Sequence, residues 1–264
     1  MTRPIMRPAR LFPILVVACL GLAACATPPP ASDAESVAEF NALNDPIEPL
    51  NRVSYGVHNA VDTLALRPAA EIYRALVAPP IRTGIRNVLS NLRTPVVLLN
   101  DALQGETQRF GTTLGRFVLN TMLGVGGIFE VATGFGLPPH SEDFGQTLAV
   151  WGAGEGPFLF IPLLGPSNPR DLTGFGVDLA AQPLTWVTGT NQLDNAMVVR
   201  TVAGVLDARE GLIEPLDALT ANSLDPYAAL RSAYRQRRAA EISNRGETGR
   251  SDATGSAIGS GLRR

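Results

Sequence analysis

Apolar side chains recur at steps of three and four residues along most of residues 44–240, the spacing that places them on one face of an α-helix. Prolines divide this pattern: Pro68 and Pro79-Pro80 each begin a new run, and Asp225-Pro226 combines an N-cap residue with a first-turn proline. Further helices are predicted over Glu106–Leu123, 170–188 and 191–213. The first stripe consists of Ile47, Leu50, Val53, Val57, Val61 and Leu64.

Extended structure is scarce in the pattern. Two short segments, Gln146–Trp151 and Phe158–Leu163, are predicted as possible strands, and prolines flank both regions. Pro95 is expected to kink or interrupt the third helix, and Asp171 is expected to cap the helix that follows Arg170. The prediction is an all-α fold in a single domain over residues 44–240.

Two uncharged runs interrupt the amphipathic pattern, Phe117–Phe129 and Gly156–Pro169. Neither reaches the roughly 18 residues that a membrane-spanning helix needs. Each run therefore has two interpretations, an ordinary buried core or an apolar surface lying in one leaflet of a membrane.

The N-terminus has the organisation of a bacterial lipoprotein signal. Arg3, Arg7 and Arg10 precede an apolar stretch, and Leu22-Ala23-Ala24-Cys25 resembles the site at which such a signal is cleaved before a cysteine that becomes lipidated. Cleavage at the rival Cys19 would leave a shorter apolar segment, so Cys25 is the predicted lipid anchor.

These features predict a domain organisation with four parts. Residues 1–24 form the signal peptide, 25–43 the lipid anchor and tether, 44–240 the helical domain and 241–264 a disordered tail rich in glycine, serine and arginine. Removing residues 1–24 leaves 19 arginines against 24 carboxylates, a net charge of −5. Ala26 after the cysteine favours sorting to the outer membrane.

Composition excludes several classes of function. All 22 basic residues of the 264 are arginine, which excludes a P-loop lysine and Schiff-base chemistry. The chain is too apolar for a disordered protein and too weakly basic for a nucleic-acid binder. With only two histidines, a zinc site built on several histidines is excluded, and no metal or cofactor is expected.

No arrangement of residues predicts catalysis. The chain has no G-x-S-x-G nucleophile elbow, and no carboxylate spacing singles out an acid–base pair. His140, beside Glu142 and Asp143, is interpreted as part of a solvated turn rather than as a base, and His58 as a polar-face or interfacial residue. The prediction is that the protein is not an enzyme.

Glycine is the more informative residue type. Neither of two glycine clusters completes a nucleotide-binding G-x-G-x-x-G motif. Both are interpreted as turns, with a flexible gate beside an opening as the functional alternative. The clusters are Gly124, Gly126 and Gly127, and Gly152, Gly154 and Gly156.

Several ordered motifs, which together cover about residues 44–238, resemble the MlaA (VacJ) family of outer-membrane lipoproteins. Asn44-Asp45-Pro46-Ile47-Glu48-Pro49-Leu50-Asn51-Arg52 is similar to the family's opening NDPxExxNR. The chain departs from the family at Tyr55-Gly56-Val57-His58 and at Glu130. The other matching motifs are Leu66-Arg67-Pro68, Asn91-Leu92 with Pro95, Asn100 with Leu103-Gln104-Gly105, Arg116-Phe117, Asn120-Thr121, Gly124 with Gly126-Gly127, Glu142-Asp143-Phe144-Gly145-Gln146-Thr147-Leu148, Gly152-Ala153-Gly154-Glu155-Gly156-Pro157, Leu164-Gly165-Pro166, Arg170-Asp171, Asp225-Pro226-Tyr227 and Arg231 with Tyr234.

The resemblance implies a ring-like helical domain embedded in the inner leaflet of the outer membrane. Such proteins withdraw mislocalised phospholipids from the outer leaflet through an amphipathic channel, which maintains the lipid asymmetry of that membrane. They associate with trimeric porins and pass the lipid to a soluble periplasmic carrier, which delivers it to an inner-membrane ABC transporter. Two alternatives stay open from the residues alone, a structural envelope lipoprotein without a lipid path and a periplasmic lipid hydrolase.

Overall fold

The computed structural model describes residues 44–186 and 191–243. The predicted signal peptide, Cys25, the tether up to residue 43 and residues 244–264 of the tail lie outside the described residues. The described helices are α1 (Glu48–Val61), continued by a π-helical turn Asp62–Leu66, α2 (Arg67–Leu76), α3 (Pro79–Gln104), α4 (Thr107–Met122), α5 (Phe144–Val150), α6 (Pro169–Ala181), α7 (Asn191–Gly211), α8 (Ile213–Ala221) and α9 (Pro226–Ile242). Ala132–Phe135 and Pro183–Trp186 form short 3₁₀ turns, and β1 (Leu159–Ile161) pairs antiparallel with β2 (Gly165–Ser167).

The all-α prediction is confirmed, and so is the N-cap at Asp225, whose carboxylate accepts a hydrogen bond from the Ala228 amide. The other predicted cap is wrong. Asn168, not Asp171, caps α6, because its side chain accepts from the Asp171 amide. Pro95 does not interrupt α3, which is one continuous helix around it.

The predicted strand at Gln146–Trp151 is also wrong, since Phe144–Val150 is helical. Asp143 caps this helix by accepting from the Gln146 amide. Gly145 and Gly174 bring α5 and α6 into backbone contact, because a Cβ on Gly174 would lie 2.2 Å from the Gly145 nitrogen. The predicted strand at Phe158–Leu163 is confirmed in its centre as β1.

Contacts between the elements form a closed circuit. The β-hairpin joins α1 to α9, α9 contacts α5, and α5 contacts α3. From α3 the contacts continue through α7 to α2 and return to α1 through the π-helical turn. This circuit gives the ring-like arrangement that the family resemblance implied.

Candidate functional site: an apolar exterior around buried ionic networks

The apolar stripe of α1 faces outward. Val53 is 65% exposed and Leu64 of the following π-helical turn is 81% exposed, whereas Asn51 is the buried residue of α1 at 2%. A soluble globular protein buries the apolar face of such a helix and exposes the polar one. The polarity of α1 is therefore reversed relative to a water-surrounded protein.

The apolar side chains in the second half of the uncharged run Phe117–Phe129 also face outward. Met122, Val125 and Phe129 are all largely exposed, so this half of the run is surface rather than core. The second run divides, because Phe158 and Phe160 are buried while Leu163 and Leu164 are exposed. No helix within the described ranges is both long enough and apolar enough to cross a membrane.

The described interior holds many charged and amide side chains. Nine apolar residues are buried among the described ones, and three of them, Phe158, Phe160 and Tyr227, form a small core cluster, with Tyr55 packed edge-on against Phe160. The buried polar side chains include Asp45, Asn51, Asn100, Asp101, Glu142, Asp207, Glu210, Arg231 and Arg238.

The opening motif closes the ring on its C-terminal helix. Asp45 accepts from Arg231 Nη1 at 2.6 Å and from the Tyr227 hydroxyl, 186 and 182 residues away along the chain. Asn51 donates to Asp45 at 2.8 Å, and its carbonyl oxygen accepts from the amide of Phe160 at 2.9 Å. The motif residues therefore hold α1, β1 and α9 together and are not free to bind a ligand.

Arg238 of α9 is the centre of a second network. Its guanidinium donates to Asp143 at 2.8 and 3.1 Å and to Asp171 at 2.8 Å, which joins the N-termini of α5 and α6 to α9. Burial raises the pKa of Asp143, but its hydrogen bonds and charge interaction with Arg238 outweigh this and hold the pKa at about 2. The same balance with Arg238 and the Tyr234 hydroxyl lowers the pKa of Asp171.

A third set of ion pairs fixes α7 to the first half of the chain. Arg209 donates to both oxygens of Asp62 at 2.6 and 2.7 Å, and Arg86 to both oxygens of Asp207 at 3.0 Å. Glu210 accepts from Arg74 and from Arg82. Asp207, Arg209 and Glu210 of this set are buried, so the face of α7 that meets the first half of the chain is ionic.

His140 is not in a solvated turn, and that prediction is wrong. Its side chain is almost fully buried, and Nε2 lies 3.0 Å from both Asp101 Oδ1 and Thr113 Oγ1. The Thr113 hydroxyl donates directly to Asp101. A nucleophilic relay needs the hydroxyl on one imidazole nitrogen and the carboxylate on the other, so this cluster lacks that arrangement.

His58 lies at the interface between α1 and the β-hairpin, in agreement with the second of its two interpretations. Its Nδ1 accepts from the Leu163 amide at 3.1 Å, and its ring packs edge-on against Phe160. Burial lowers the pKa of His58. In the part of the chain that the structure describes, no group of three or more histidine, cysteine, aspartate or glutamate side chains could hold a metal ion.

The first glycine cluster lies in the turn that follows α4, and the second lies in the segment between α5 and β1. Gly126 and Gly127 have positive φ angles of 70° and 96°, and a Cβ on Gly127 would lie 2.6 Å from that of Asn91. A polar cavity of about 60 Å³ adjoins this turn, lined by Asn91, Thr113, Arg116 and Asn120 among others. In the second cluster, Gly152 and Gly156 also have positive φ, and Gly156 accepts from Asn44 at 2.6 Å.

Hydropathy alone does not identify the residues that organise this interior. Arg238, Asp143 and Asp171 are far apart in sequence and look like ordinary surface charges. Asp143 and Asp171 lie inside the family motifs Glu142-Asp143 and Arg170-Asp171, which is a signal in the sequence, but Arg238 lies outside the quoted motifs and the helix cap expected at Asp171 gave no hint of an ion pair.

Known proteins are similar to this one along most of the chain. The sequence profile of the family described as "MlaA lipoprotein" matches residues 43–241. The "Intermembrane phospholipid transport system lipoprotein MlaA" of Escherichia coli strain K12 is 35% identical over 213 residues, covering 77% of this chain and 80% of that protein. An uncharacterised protein of Rickettsia bellii is 35% identical over 199 residues, covering 75% of this chain and 76% of the relative.

A solved structure has the same fold. It comes from work on the "Structural basis for maintenance of bacterial outer membrane lipid asymmetry" and superposes with a TM-score of 0.65 at 33% identity. The match covers 75% of this chain and 98% of the solved one.

Proposed function

Because the chain belongs to the MlaA lipoprotein family, we propose that it is an outer-membrane lipoprotein of an intermembrane phospholipid transport system. In this proposal Cys25 carries the lipid anchor, and the protein removes mislocalised phospholipids from the outer leaflet through an amphipathic channel. It then passes them to a soluble periplasmic carrier linked to an inner-membrane ABC transporter, and it associates with a trimeric porin.

The reversed polarity of the ring is the observation that carries the proposal. Exposed apolar side chains on α1, on the Met122–Phe129 turn and on α7 would be unfavourable in water, and surfaces of this kind mark contact with a membrane or a partner. An apolar face on a helix that does not span suits a position in one leaflet, parallel to the membrane. In this position the ionic interior of the ring provides a polar path, and the ring itself separates that path from the lipid tails outside.

This role requires no bond chemistry. A lipid chain resists transfer through water by about 0.8 kcal/mol for each methylene, so a sheltered path is sufficient to accelerate its movement. The proposed protein supplies that path and its partners supply the direction.

Deletion and rescue test the proposal. Cells lacking the protein are expected to accumulate phospholipid in the outer leaflet of the outer membrane, measured by the action of an added phospholipase or by labelling of exposed headgroups. Wild type is expected to reverse the accumulation and Cys25→Ala is not. Normal asymmetry in the deletion strain would contradict lipid removal and favour a scaffolding lipoprotein.

The glycine clusters are proposed as gate loops near the channel mouth. Gly126→Val is expected to restore asymmetry poorly, because a β-branched residue strongly disfavours the positive φ of this turn. Gly111→Val on α4 is the matched control, since a Cβ at either position would meet no atom within 4 Å. Full rescue by Gly126→Val, at equal protein level, would contradict a role for this turn in gating.

A further inference from the structure

A cavity of about 240 Å³ lies where α6 and α9 meet the β-hairpin, with α3 and the start of α5 at its edge. Its lining is divided by polarity. Leu164, Leu172 and Phe175 form an apolar wall, while the polar part includes Arg93 of α3 and Asp178 of α6. An apolar wall facing fixed charges is the environment that an amphiphile requires.

Most charges around the cavity are already compensated. Arg238 holds Asp143 and Asp171, and Arg237 pairs with Glu241 at 3.0 Å. Arg93 differs, since no ion-pair partner for it lies within 4.0 Å among the described side chains. The arrangement therefore presents one uncompensated cation to the cavity.

Asp178 presents the opposite charge. Its carboxylate accepts from Asn100 Nδ2 at 3.0 Å and from the Phe144 amide at 3.1 and 3.2 Å, and no arginine bridges it. Burial, together with the charge of Asp143, raises the pKa of Asp178, and the hydrogen bonds from Asn100 and Phe144 and the charge of Arg93 only partly oppose this. Arg93 and Asp178 both line the cavity, and no ion pair within 4.0 Å joins them.

We propose that this cavity binds the headgroup of a zwitterionic phospholipid, with the phosphodiester against Arg93, the ammonium towards Asp178 and the glycerol end over the apolar wall. The inference rests on the proposed function and specifies the substrate class. An arginine offers several N–H donors to phosphate oxygens, and a carboxylate accepts from an ammonium. A zwitterion satisfies both charges at once.

An anionic phospholipid fits the same cavity less well. Its phosphate can meet Arg93, but an uncharged glycerol headgroup leaves Asp178 without a cation. The cavity therefore discriminates through the carboxylate and attracts phosphate through the arginine. The two roles are separable by mutation.

Native mass spectrometry of the purified lipoprotein tests the headgroup preference. The protein is titrated with phosphatidylethanolamine or with phosphatidylglycerol of identical acyl chains. Wild type is expected to bind the ethanolamine lipid about tenfold more tightly. Arg93→Gln is expected to weaken both lipids about tenfold. Asp178→Asn is expected to weaken only the ethanolamine lipid and remove the preference. Arg200→Gln on α7, outside the cavity lining, is the control and is expected to bind as wild type does.

Equal affinity of wild type for the two lipids would overturn the inference, and so would unchanged binding by Arg93→Gln. The Arg93 result decides the matter if Asp178→Asn, which alters a hydrogen-bonded group, does not fold. Failure of wild type to bind either lipid, while deletion still disturbs asymmetry, would overturn this site and leave the proposed function intact. Normal asymmetry after deletion would instead contradict the proposed function.

Discussion

Replacing Arg238 by methionine is expected to lower the free energy of unfolding by about 3–5 kcal/mol, because it removes one partner from a buried ionic network and leaves its carboxylates without a cation. The Arg238 side chain is 8% exposed and donates to Asp143, Asp171 and Glu241. Methionine retains the packing of the aliphatic stem, so the effect reports the lost charge. Chemical denaturation of the protein in detergent micelles measures it.

The neighbouring Arg237 is the control for this experiment. Its side chain is 70% exposed and its ion pair with Glu241 spans one helical turn. Such a pair contributes only about 0.3–0.5 kcal/mol, so Arg237→Met is expected to unfold close to wild type. Equal destabilisation by the two substitutions would show that the Arg238 network does not hold the ring together.

Lowering the pH is expected to narrow the difference in the free energy of unfolding between wild type and Arg238→Met. Asp143 has a folded pKa of about 2 against an ordinary value of 3.8, so its contribution is present above about pH 4 and is lost as the pH falls towards 2. Without Arg238, burial raises the pKa of this carboxyl and favours its protonated form. A difference in stability that stays constant between pH 5 and pH 2 would contradict this assignment.

The helical pattern was predictable because its signals are local. Proline at Pro68 and Pro79, and the Asp225-Pro226 cap, act within one turn of the chain, and the helices begin there. The strand predicted at Gln146–Trp151 was wrong because the apolar and β-branched residues of this segment suit a strand locally. The features that make it helical, the cap at Asp143 and the Gly145–Gly174 contact, lie outside the segment.

The direction of each helix face was not predictable from periodicity. An apolar stripe shows that two faces of a helix differ, but not which of them meets the rest of the protein. The partners of the buried charges were also hidden, because Asp45 and Arg231 lie 186 residues apart. The family resemblance carried the expectation of an outward apolar surface, and the exposed side chains of α1 agree with it.

Introducing charge into the apolar stripe of α1 is expected to abolish function while leaving the fold intact. Val53 and Leu64 are both highly exposed, so aspartate at these positions disturbs no packed core. In a leaflet, each aspartate is unfavourable by up to about 2.5–3.5 kcal/mol at the centre of the bilayer and by less near the headgroups. The double variant Val53→Asp, Leu64→Asp is therefore expected to stay anchored and folded but to leave phospholipid in the outer leaflet.

Asn59→Asp provides the control, because it places one aspartate, against two in the double variant, at an exposed position of the same helix that is already polar. It is expected to restore asymmetry to the wild-type level. The double variant is also expected to unfold at the same denaturant concentration as wild type in mild detergent, which separates loss of membrane contact from loss of folding. Full rescue by the double variant would mean that the α1 stripe does not lie in the membrane, and the apolar exterior would then need a protein partner to cover it.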